Sequence, residues 1–284
     1  MAAPQSWQSL LRAPQPCDHV VQLYKDEGFL IRAVTHFMSA GLATGEAGVL
    51  IATPEHVAAV TAQLAATLDV ARVRARDQLV LLDAETCLAR FMVDGMPDRE
   101  AFFALANGVL DRVQAAGHAK VRLFGEMVDL LWEDNLPATV KLEALWSEVL
   151  AERQVCLLCA YRLDNFDHHV HRGLLHRISR SHSHLVPVED YERLDAAVDR
   201  AYRDVFGDRA DTATLRQLLV TQPSAAAAMP PAQAALVALR DVRGDIADAV
   251  LAKARTYYQA GGSRSSTERS AASSARTWTS ARSS

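Results

Sequence analysis

Five short apolar runs, each followed by a longer amphipathic stretch, recur between residues 19 and 162 and restrict the fold more than any other feature. Apolar runs of this length are typical of strands that are buried on both faces, and the stretches between them have helical apolar spacing. Strands that alternate with helices form a parallel sheet with right-handed connections. The chain is therefore predicted to be an α/β protein with a doubly wound, mainly parallel sheet. The predicted strands are HVVQLY, AGVLIAT, QLVLLDA, KVRLFGEM and VCLLCAYR.

The sequence changes in character after Pro187. EDYERLDAAVDRAYRDVFG and PPAQAALVALRDVRGDIADAVLAKARTYYQ are charged and amphipathic, which predicts a helical extension. The end of the chain is rich in Ser and Arg and has almost no apolar side chains. Burial cannot offset the entropy cost of ordering such a segment, so we expect a disordered tail.

The composition narrows the compartment and the class of partner. A formal net charge of −4 gives no basic field, so general nucleic-acid binding is not expected. Four cysteines are too few for a disulfide framework in a chain of this length. The first residues do not read as a secretory leader, and no run approaches the ~18 apolar residues of a membrane span. We therefore expect a cytoplasmic protein that has no contact with a membrane.

The sequence lacks the features of a phosphate-binding loop. Such a loop needs a lysine that follows a glycine and precedes Ser or Thr, because its backbone N–H groups cradle the phosphates that the lysine neutralises. None of the four lysines has these neighbours. After the first predicted strand the sequence reads YKDEGFL, where Asp26 and Glu27 would repel a triphosphate. A nucleoside triphosphate is therefore not expected at this loop.

Ligands of open α/β sheets bind outside the carboxyl ends of the strands, which makes the residues there the first candidates for a site. Each candidate also fits a purely structural role, and Thr53, followed by a proline, fits a helix start in which its hydroxyl accepts a backbone N–H. Glu126 is the strongest functional candidate, because a carboxylate directly after a buried strand is costly to desolvate unless it is paired. The residues at the predicted strand ends are Tyr24, Thr53, Asp83, Glu126 and Tyr161.

Two patterns raise the question of a metal. Cys156 and Cys159 form a CxxC, but residues three apart in a strand point to opposite faces, so we interpret both as buried structural cysteines. Six of the ten histidines lie between His168 and His184, and such clustering is typical of metal or pH-sensing sites. No cysteine or carboxylate accompanies them at the spacing of a recognised zinc site. A solvated or ligand-facing basic helix is favoured, and no metal and no cofactor are expected.

Several motifs follow one another in an order that is typical of one family. They are HVVQLYKDEGFL, GLATGEAGVLIATPEH, VRLFGEMVDLLW, LEALW, CLLCAYRL and HSHLVPVEDY. Over residues 19–191 the chain resembles the MEDS family, the methanogen/methylotroph, DcmR-type sensory domain. The resemblance implies a RecA- or KaiC-like fold without a working phosphate loop, and a role in sensing small molecules such as hydrocarbon derivatives. The residues that match the family's motifs are His19, Tyr24, Glu46, Glu126, Trp132, Glu143, Trp146, Tyr161, His182 and His184.

The chain is thus predicted to comprise an N-terminal segment (1–18), a MEDS-like sensory domain (19–191), a helical extension (192–260) and a disordered Ser/Arg-rich tail (261–284). The resemblance implies that such domains occur in transcriptional regulators and beside histidine-kinase modules. We find no room for a helix-turn-helix before residue 19 and recognise no kinase core after residue 191. Neither direct DNA binding nor phosphotransfer is therefore expected.

We expect a non-enzymatic sensory protein that signals through its C-terminal helices to a protein partner such as a kinase or a transcription factor. The sequence is also compatible with a homo-oligomer. One alternative is a divergent nucleotide hydrolase of RecA-like fold in which Glu126 activates water, and another is an interaction module without a ligand. The ligand is expected over the strand ends, between Tyr24, Tyr161 and Trp132. The candidate ligand-binding residues are His19, Tyr24, Thr53, Asp83, Glu126, Trp132, Tyr161, His182 and His184.

Overall fold

The computed structural model describes residues 6–153, 155–207 and 227–279, with side chains as far as residue 261. The described residues form two compact units. One contains residues 6–165, 173–189 and 227–230, and the other contains residues 166–172, 190–207 and 231–279. The first unit holds the sheet, and the second is helical.

A six-stranded parallel sheet forms the centre of the first unit. Its strands are β1 (His19–Tyr24), β2 (Ala47–Ala52), β3 (Leu79–Asp83), β6 (Val121–Gly125), β7 (Val155–Arg162) and β8 (His184–Val186). They lie in the order β3-β2-β6-β7-β1-β8, and every described pairing between them is parallel. The predicted α/β fold with a parallel sheet is confirmed.

A small antiparallel ribbon follows β3 in the chain. It pairs β4 (Met92–Val93) with β5 (Met96–Pro97). The two residues between these strands, Asp94 and Gly95, have φ values of 49° and 75°. A two-residue hairpin turn of this kind requires positive φ at both positions, which Asp-Gly tolerates well. Residues 92–97 therefore form a β-hairpin.

Helices surround the sheet and make up the second unit. The helices that accompany the sheet are α1 (Trp7–Arg12), α2 (Glu27–Ala43), α3 (Pro54–Leu64), α4 (Val70–Ala75), α5 (Ala84–Phe91), α6 (Arg99–Ala115), α7 (Leu136–Glu152) and α8 (Leu175–Ser181). A π-helical turn (Val170–Leu174) precedes α8 and has residues in both units. The second unit contains α9 (Tyr191–Phe206), α10 (Pro231–Val242) and α11 (Gly244–Thr279), and α9 packs against both of the others. Within the described residues, no helix has the length and apolarity that crossing a membrane requires.

The tail that was predicted to be disordered falls in the last part of α11. The backbone there is described as helical to Thr279, and residues 280–284 lie outside the described part of the chain. Since no side chain beyond residue 261 is described, the expectation for the tail stays a prediction.

Two neighbouring residues of β6 show that helices cover both faces of the sheet. Arg122 donates to the carbonyl oxygens of Leu11 at 2.8 Å and Phe37 at 3.0 Å, in α1 and α2. Leu123 and Trp146 of α7 instead line the same small gap. Because successive side chains of a strand point to opposite faces, α1 and α2 lie on one face and α7 lies on the other. The sheet is therefore doubly wound, as predicted.

Candidate functional site

Glu126 lies at the edge of the sheet, where the chain leaves β2 and β6. Its Oε1 accepts the backbone N–H of Thr53 at 2.7 Å, and its Oε2 lies 2.8 Å from Nδ1 of His56. The hydrogen bond to Glu126 raises the pKa of His56 above its ordinary value. Glu126 is only 2% exposed, so these donors rather than water balance its charge. The carboxylate is paired within the protein, and a contact with a ligand stays a prediction.

Thr53 has a different role in this arrangement from the one expected. The helix α3 begins at Pro54 as predicted, but the Thr53 hydroxyl makes no capping hydrogen bond to it. The expected hydroxyl cap is therefore wrong. The backbone N–H of Thr53 is directed to Glu126 instead, so the residue serves to hold that carboxylate.

A second carboxylate, Asp129, gathers three more residues at the carboxyl edge. Its Oδ2 accepts the hydroxyl of Tyr24 at 2.7 Å, and its Oδ1 accepts the backbone N–H of Arg162 at 2.6 Å and the indole N–H of Trp132 at 3.2 Å. Burial raises the pKa of Asp129, and burial together with Asp129 raises the pKa of Tyr24. Asp129 was not among the predicted site residues. Its position three residues after Glu126, just beyond the end of β6, could have indicated that it lies at the same edge of the sheet.

Asp83 and His184 have partners of their own. Asp83 accepts the backbone N–H of Thr86 at 2.7 Å at the start of α5, and hydrogen bonding from the side chain and the backbone of Thr86 lowers the pKa of Asp83. Nε2 of His184 lies 3.5 Å from Oδ1 of Asp18. Burial alone would raise the pKa of Asp18, but hydrogen bonds from His184 and from the Gln15 backbone lower it. Both candidates thus have clear structural roles.

Four titratable side chains meet inside the first unit, in what we call the buried cluster. His19 comes from β1, Glu143 from α7, Cys159 from β7, and His182 directly follows α8. Nε2 of His19 lies 3.2 Å from Sγ of Cys159 and 3.3 Å from Oε2 of Glu143. Nε2 of His182 lies 3.5 Å from the same carboxylate oxygen. All four residues are buried, so the cluster is a polar centre in an apolar interior.

Burial shifts the pKa values of His19, Cys159 and the neighbouring Tyr161. It lowers the pKa of His19 well below the ordinary value, and the neighbouring His182 lowers it further. The pKa of the Cys159 thiol is raised by burial and by the nearby Glu143. The hydroxyl of Tyr161 donates to Oε1 of Glu143 at 2.5 Å, and burial with this neighbour raises the pKa of Tyr161. His19 is therefore a neutral imidazole and Tyr161 a neutral donor at physiological pH.

A cavity of about 430 Å³ opens beside the buried cluster, between α7 and α8. Glu143 and Tyr161 lie in its wall, and Val140, which is 49% exposed, lies in the wall that reaches solvent. This volume is within the ~300–1,000 Å³ range of small-molecule sites. The other lining residues of this α7–α8 cavity are Leu136, Thr139, Ala144, Leu174, Arg177, Ile178, Arg180 and Ser181.

The structure divides the predicted site residues among several places. His19, Tyr161 and His182 meet around Glu143, whereas Tyr24 and Trp132 meet around Asp129. Register pairs Leu23 with Tyr161, so the side chains of Tyr24 and Tyr161 leave the sheet on opposite faces. The expected single pocket between Tyr24 and Tyr161 is therefore not what the structure shows.

Two members of the buried cluster were missing from the predicted site. Glu143 had a signal, because it belongs to the LEALW motif, and Cys159 had been interpreted as purely structural. The histidine-rich run is also divided. His168 and His169 are exposed in the second unit, whereas His182 is buried in the first.

The comparison with protein families bears on the same part of the chain. A family model described as MEDS, methanogen/methylotroph, DcmR sensory domain, matches residues 18–182, which is more than half of the chain. The matched range includes all four residues of the buried cluster. No match is found among curated proteins.

Proposed function

This chain belongs to the MEDS family of sensory domains, and from that premise we propose that it is a sensory protein whose small-molecule ligand binds in the α7–α8 cavity. The observation that carries the proposal is the cavity itself, with its volume of about 430 Å³ and the buried polar residues Thr139, Glu143 and Tyr161 in its wall. By contrast, the gap beneath α6 that Phe102 and Trp146 line holds about 10 Å³. That volume is room for roughly one water molecule.

The lining indicates which ligand chemistry fits. Leu136, Val140 and Ile178 offer apolar surface, which favours a ligand with a hydrocarbon portion. The hydroxyl of Tyr161 and the carboxylate of Glu143 already bond to each other, so they present one paired polar contact. We therefore propose a hydrocarbon derivative with one polar group, the class that the family resemblance also implies.

We further propose that the protein binds this ligand without transforming it. Sγ of Cys159 and Oε2 of Glu143 both approach the same nitrogen of His19, which is not the arrangement of a nucleophilic triad. At the start of α2, Asp26 accepts the backbone N–H of Gly28 at 3.0 Å, which places an acidic cap where a phosphate loop would present N–H groups. Incubation with ATP and Mg²⁺ should release no phosphate. Turnover that Glu126→Gln abolishes would support the hydrolase alternative instead.

We propose that the second unit passes the signal to a regulatory protein. Its support is the amphipathic helix α9, which buries Leu194, Val198 and Tyr202 on one side and leaves charged residues on the other. Amphipathic helices of this kind are common recognition elements. Hydrogen exchange of α9, α10 and α11 should differ between ligand-loaded and ligand-free protein. Identical exchange in both states would contradict signalling through these helices.

The ligand proposal is tested by closing the cavity. Ala144 lines the cavity and is exposed on α7, so Ala144→Phe should fill the space without disturbing the core. Ala151→Phe is the matched control, because Ala151 is also exposed on α7 and does not line the cavity. Native mass spectrometry of full-length protein from its own host should show a retained small molecule in wild type and Ala151→Phe. Retention by Ala144→Phe as well would contradict the proposed site.

A further inference from the structure

The four side chains of the buried cluster place their potential metal-ligand atoms close together. Nε2 of His19 lies 3.3 Å from Oε2 of Glu143 and 3.2 Å from Sγ of Cys159. Nε2 of His182 lies 3.5 Å from the same carboxylate oxygen, and all four atoms lie within 4.8 Å of one another. Zinc bonds of about 2.0–2.3 Å at tetrahedral angles place neighbouring ligand atoms roughly 3.3–3.6 Å apart. These three separations match the spacing of ligand atoms around one zinc ion, and the remaining pairs lie within 4.8 Å.

We propose that His19, Glu143, Cys159 and His182 together bind one zinc ion. Imidazole nitrogen and thiolate sulfur are ligands that zinc prefers, whereas magnesium and calcium prefer sites built of oxygen alone. The set supplies two nitrogens, one sulfur and one oxygen. This inference goes beyond the proposed sensory function and does not require that a small molecule occupy the α7–α8 cavity.

The orientation of His182 gives an independent reason for a cation at this point. Its Nδ1 lies 2.7 Å from the carbonyl oxygen of Ile178. A carbonyl only accepts hydrogen bonds, so Nδ1 carries a proton, and Nε2 is the nitrogen left to bind a metal ion. That nitrogen faces Oε2 of Glu143, and neither atom has a hydrogen-bond partner among the described residues.

Two buried acceptors that face each other are unfavourable unless a cation lies between them. A proton would bridge only the His182 nitrogen and the Glu143 oxygen. A metal ion would also bind Nε2 of His19 and Sγ of Cys159. Nε2 of His19 already lies at ligand-to-ligand distances from Oε2 of Glu143, at 3.3 Å, and from Sγ of Cys159, at 3.2 Å. The arrangement of all four atoms therefore favours the metal.

Contacts outside the cluster hold the ligands in place. Tyr161 donates to the second oxygen of Glu143 at 2.5 Å, and the Ile178 carbonyl fixes the ring of His182. Ligating carboxylates and histidines usually have such hydrogen bonds, which orient the donor atoms toward the ion. Both kinds of support are present here.

The same residues do not have the geometry of a nucleophilic triad. In a triad the imidazole uses one nitrogen for the nucleophile and the other for the carboxylate. Here Sγ of Cys159 and Oε2 of Glu143 both approach Nε2 of His19. The geometry fits ligation and does not fit a proton relay.

Bound zinc would connect four separate parts of the first unit: β1, α7, β7 and the end of α8. Sites in which the protein supplies all four ligands are structural ones. Because Glu143 is also in the wall of the α7–α8 cavity, the ion would fix that wall. Chelation should therefore lower the melting temperature of the protein.

Metal analysis and cobalt substitution test the site in the full-length chain. Protein purified from zinc-supplied cells should contain about one zinc ion per chain by mass spectrometry of the elements. After chelation, titration with Co²⁺ should produce a thiolate-to-metal absorption band that saturates at one equivalent. Cys159→Ser should lose this band. Cys156→Ser is the matched control, since Cys156 is buried on the same strand and directs its Sγ to the Val121 carbonyl, 3.8 Å away.

Two further variants keep the test decisive if Cys159→Ser does not fold. Glu143→Gln preserves the side-chain shape and should weaken zinc binding at least tenfold. Tyr161→Phe removes a contact outside the ligand set, and such losses typically weaken metal binding by about 10–100-fold. Circular dichroism of metal-free samples checks that each variant is folded. A folded wild type that takes up neither ion, or a Cys159→Ser variant with an unchanged band, would overturn the proposal.

The result of the zinc test can be distinguished from the result of the test for a small-molecule ligand. Ala144→Phe closes the α7–α8 cavity without changing a ligand atom, so it should retain zinc while it loses the small molecule. Zinc without any retained molecule would contradict only the proposed function.

Discussion

Gly41 of α2 leaves the space that the buried side chain of Arg122 fills, since a β-carbon at Gly41 would lie 2.5 Å from Cδ of Arg122. Arg122 is 3% exposed and donates to Oε2 of Glu46 at 2.6 Å and to the carbonyl oxygens of Leu11 and Phe37. The guanidinium thus ties α1 and α2 to β6. A buried charge of this kind is stable only while its partners remain in place.

Gly41→Ala should therefore destabilise the protein. The added methyl group overpacks a buried site, which typically costs about 1–3 kcal/mol. The usual gain from replacing a helical glycine by alanine is only about 0.5–1 kcal/mol. Gly108→Ala in α6 is the matched control, because a β-carbon there meets nothing within 4 Å, and it should stabilise the protein. Urea unfolding measures both, and a Gly41→Ala variant as stable as wild type would contradict the packing argument.

The pair of His56 and Glu126 predicts a pH dependence of stability. The hydrogen bond raises the pKa of His56 in the folded protein, so the folded state binds the proton more tightly than the unfolded state. This contribution is fully present below pH about 6.5 and is lost as the pH rises through the folded pKa. His56→Gln should remove the part of the pH-dependent decrease in stability that comes from deprotonation of His56. The free energy of unfolding, measured by urea between about pH 6 and 9, checks this prediction.

His176→Gln serves as the control for this experiment, because His176 is an exposed residue of α8. Its stability should follow the wild-type pH curve. If His56→Gln follows the same curve as wild type, His56 is not the group responsible.

Local pattern was enough to predict most of the sheet. Five strands and their helices follow from apolar runs and helical spacing, and all five are present. The sixth strand, His184–Val186, was missed because three residues are too few to show a pattern. Strand order was also not predictable, since β7 lies between β6 and β1 only as a result of long crossovers.

The buried cluster was also hard to predict, because its residues come together only through the order of the strands in the sheet. His19 and Cys159 are 140 residues apart, and they meet because β1 pairs with β7 in the register that aligns Val21 with Cys159. The CxxC pattern was interpreted as two structural cysteines on opposite faces of the strand, whereas Cys159 lies 3.2 Å from His19 of the neighbouring strand. When site residues meet only because their strands are neighbours in the sheet, no short stretch of the sequence shows a pattern that identifies them.

Lys25 tests the prediction that no phosphate is bound after β1. Its Nζ lies 3.2 Å from Oδ2 of Asp164, but the side chain is 69% exposed, so the ion pair is weak. Lys25→Ala should change the free energy of unfolding by less than about 0.5 kcal/mol. Isothermal titration with ATP and Mg²⁺ should give the same result for wild type and variant. ATP binding that disappears in the variant would refute the prediction.

Glu126→Gln distinguishes a structural role of this carboxylate from contact with a ligand. An amide oxygen can still accept the Thr53 N–H, but the neutral side chain loses the charge-assisted bond to His56. We expect a loss of about 1–3 kcal/mol at pH 6, where His56 is protonated, and a smaller loss above the folded pKa of His56. Urea unfolding at both pH values measures this, and native mass spectrometry should show that the variant still retains its small molecule. Unchanged stability together with loss of that molecule would instead place the ligand at the carboxyl edge of the sheet.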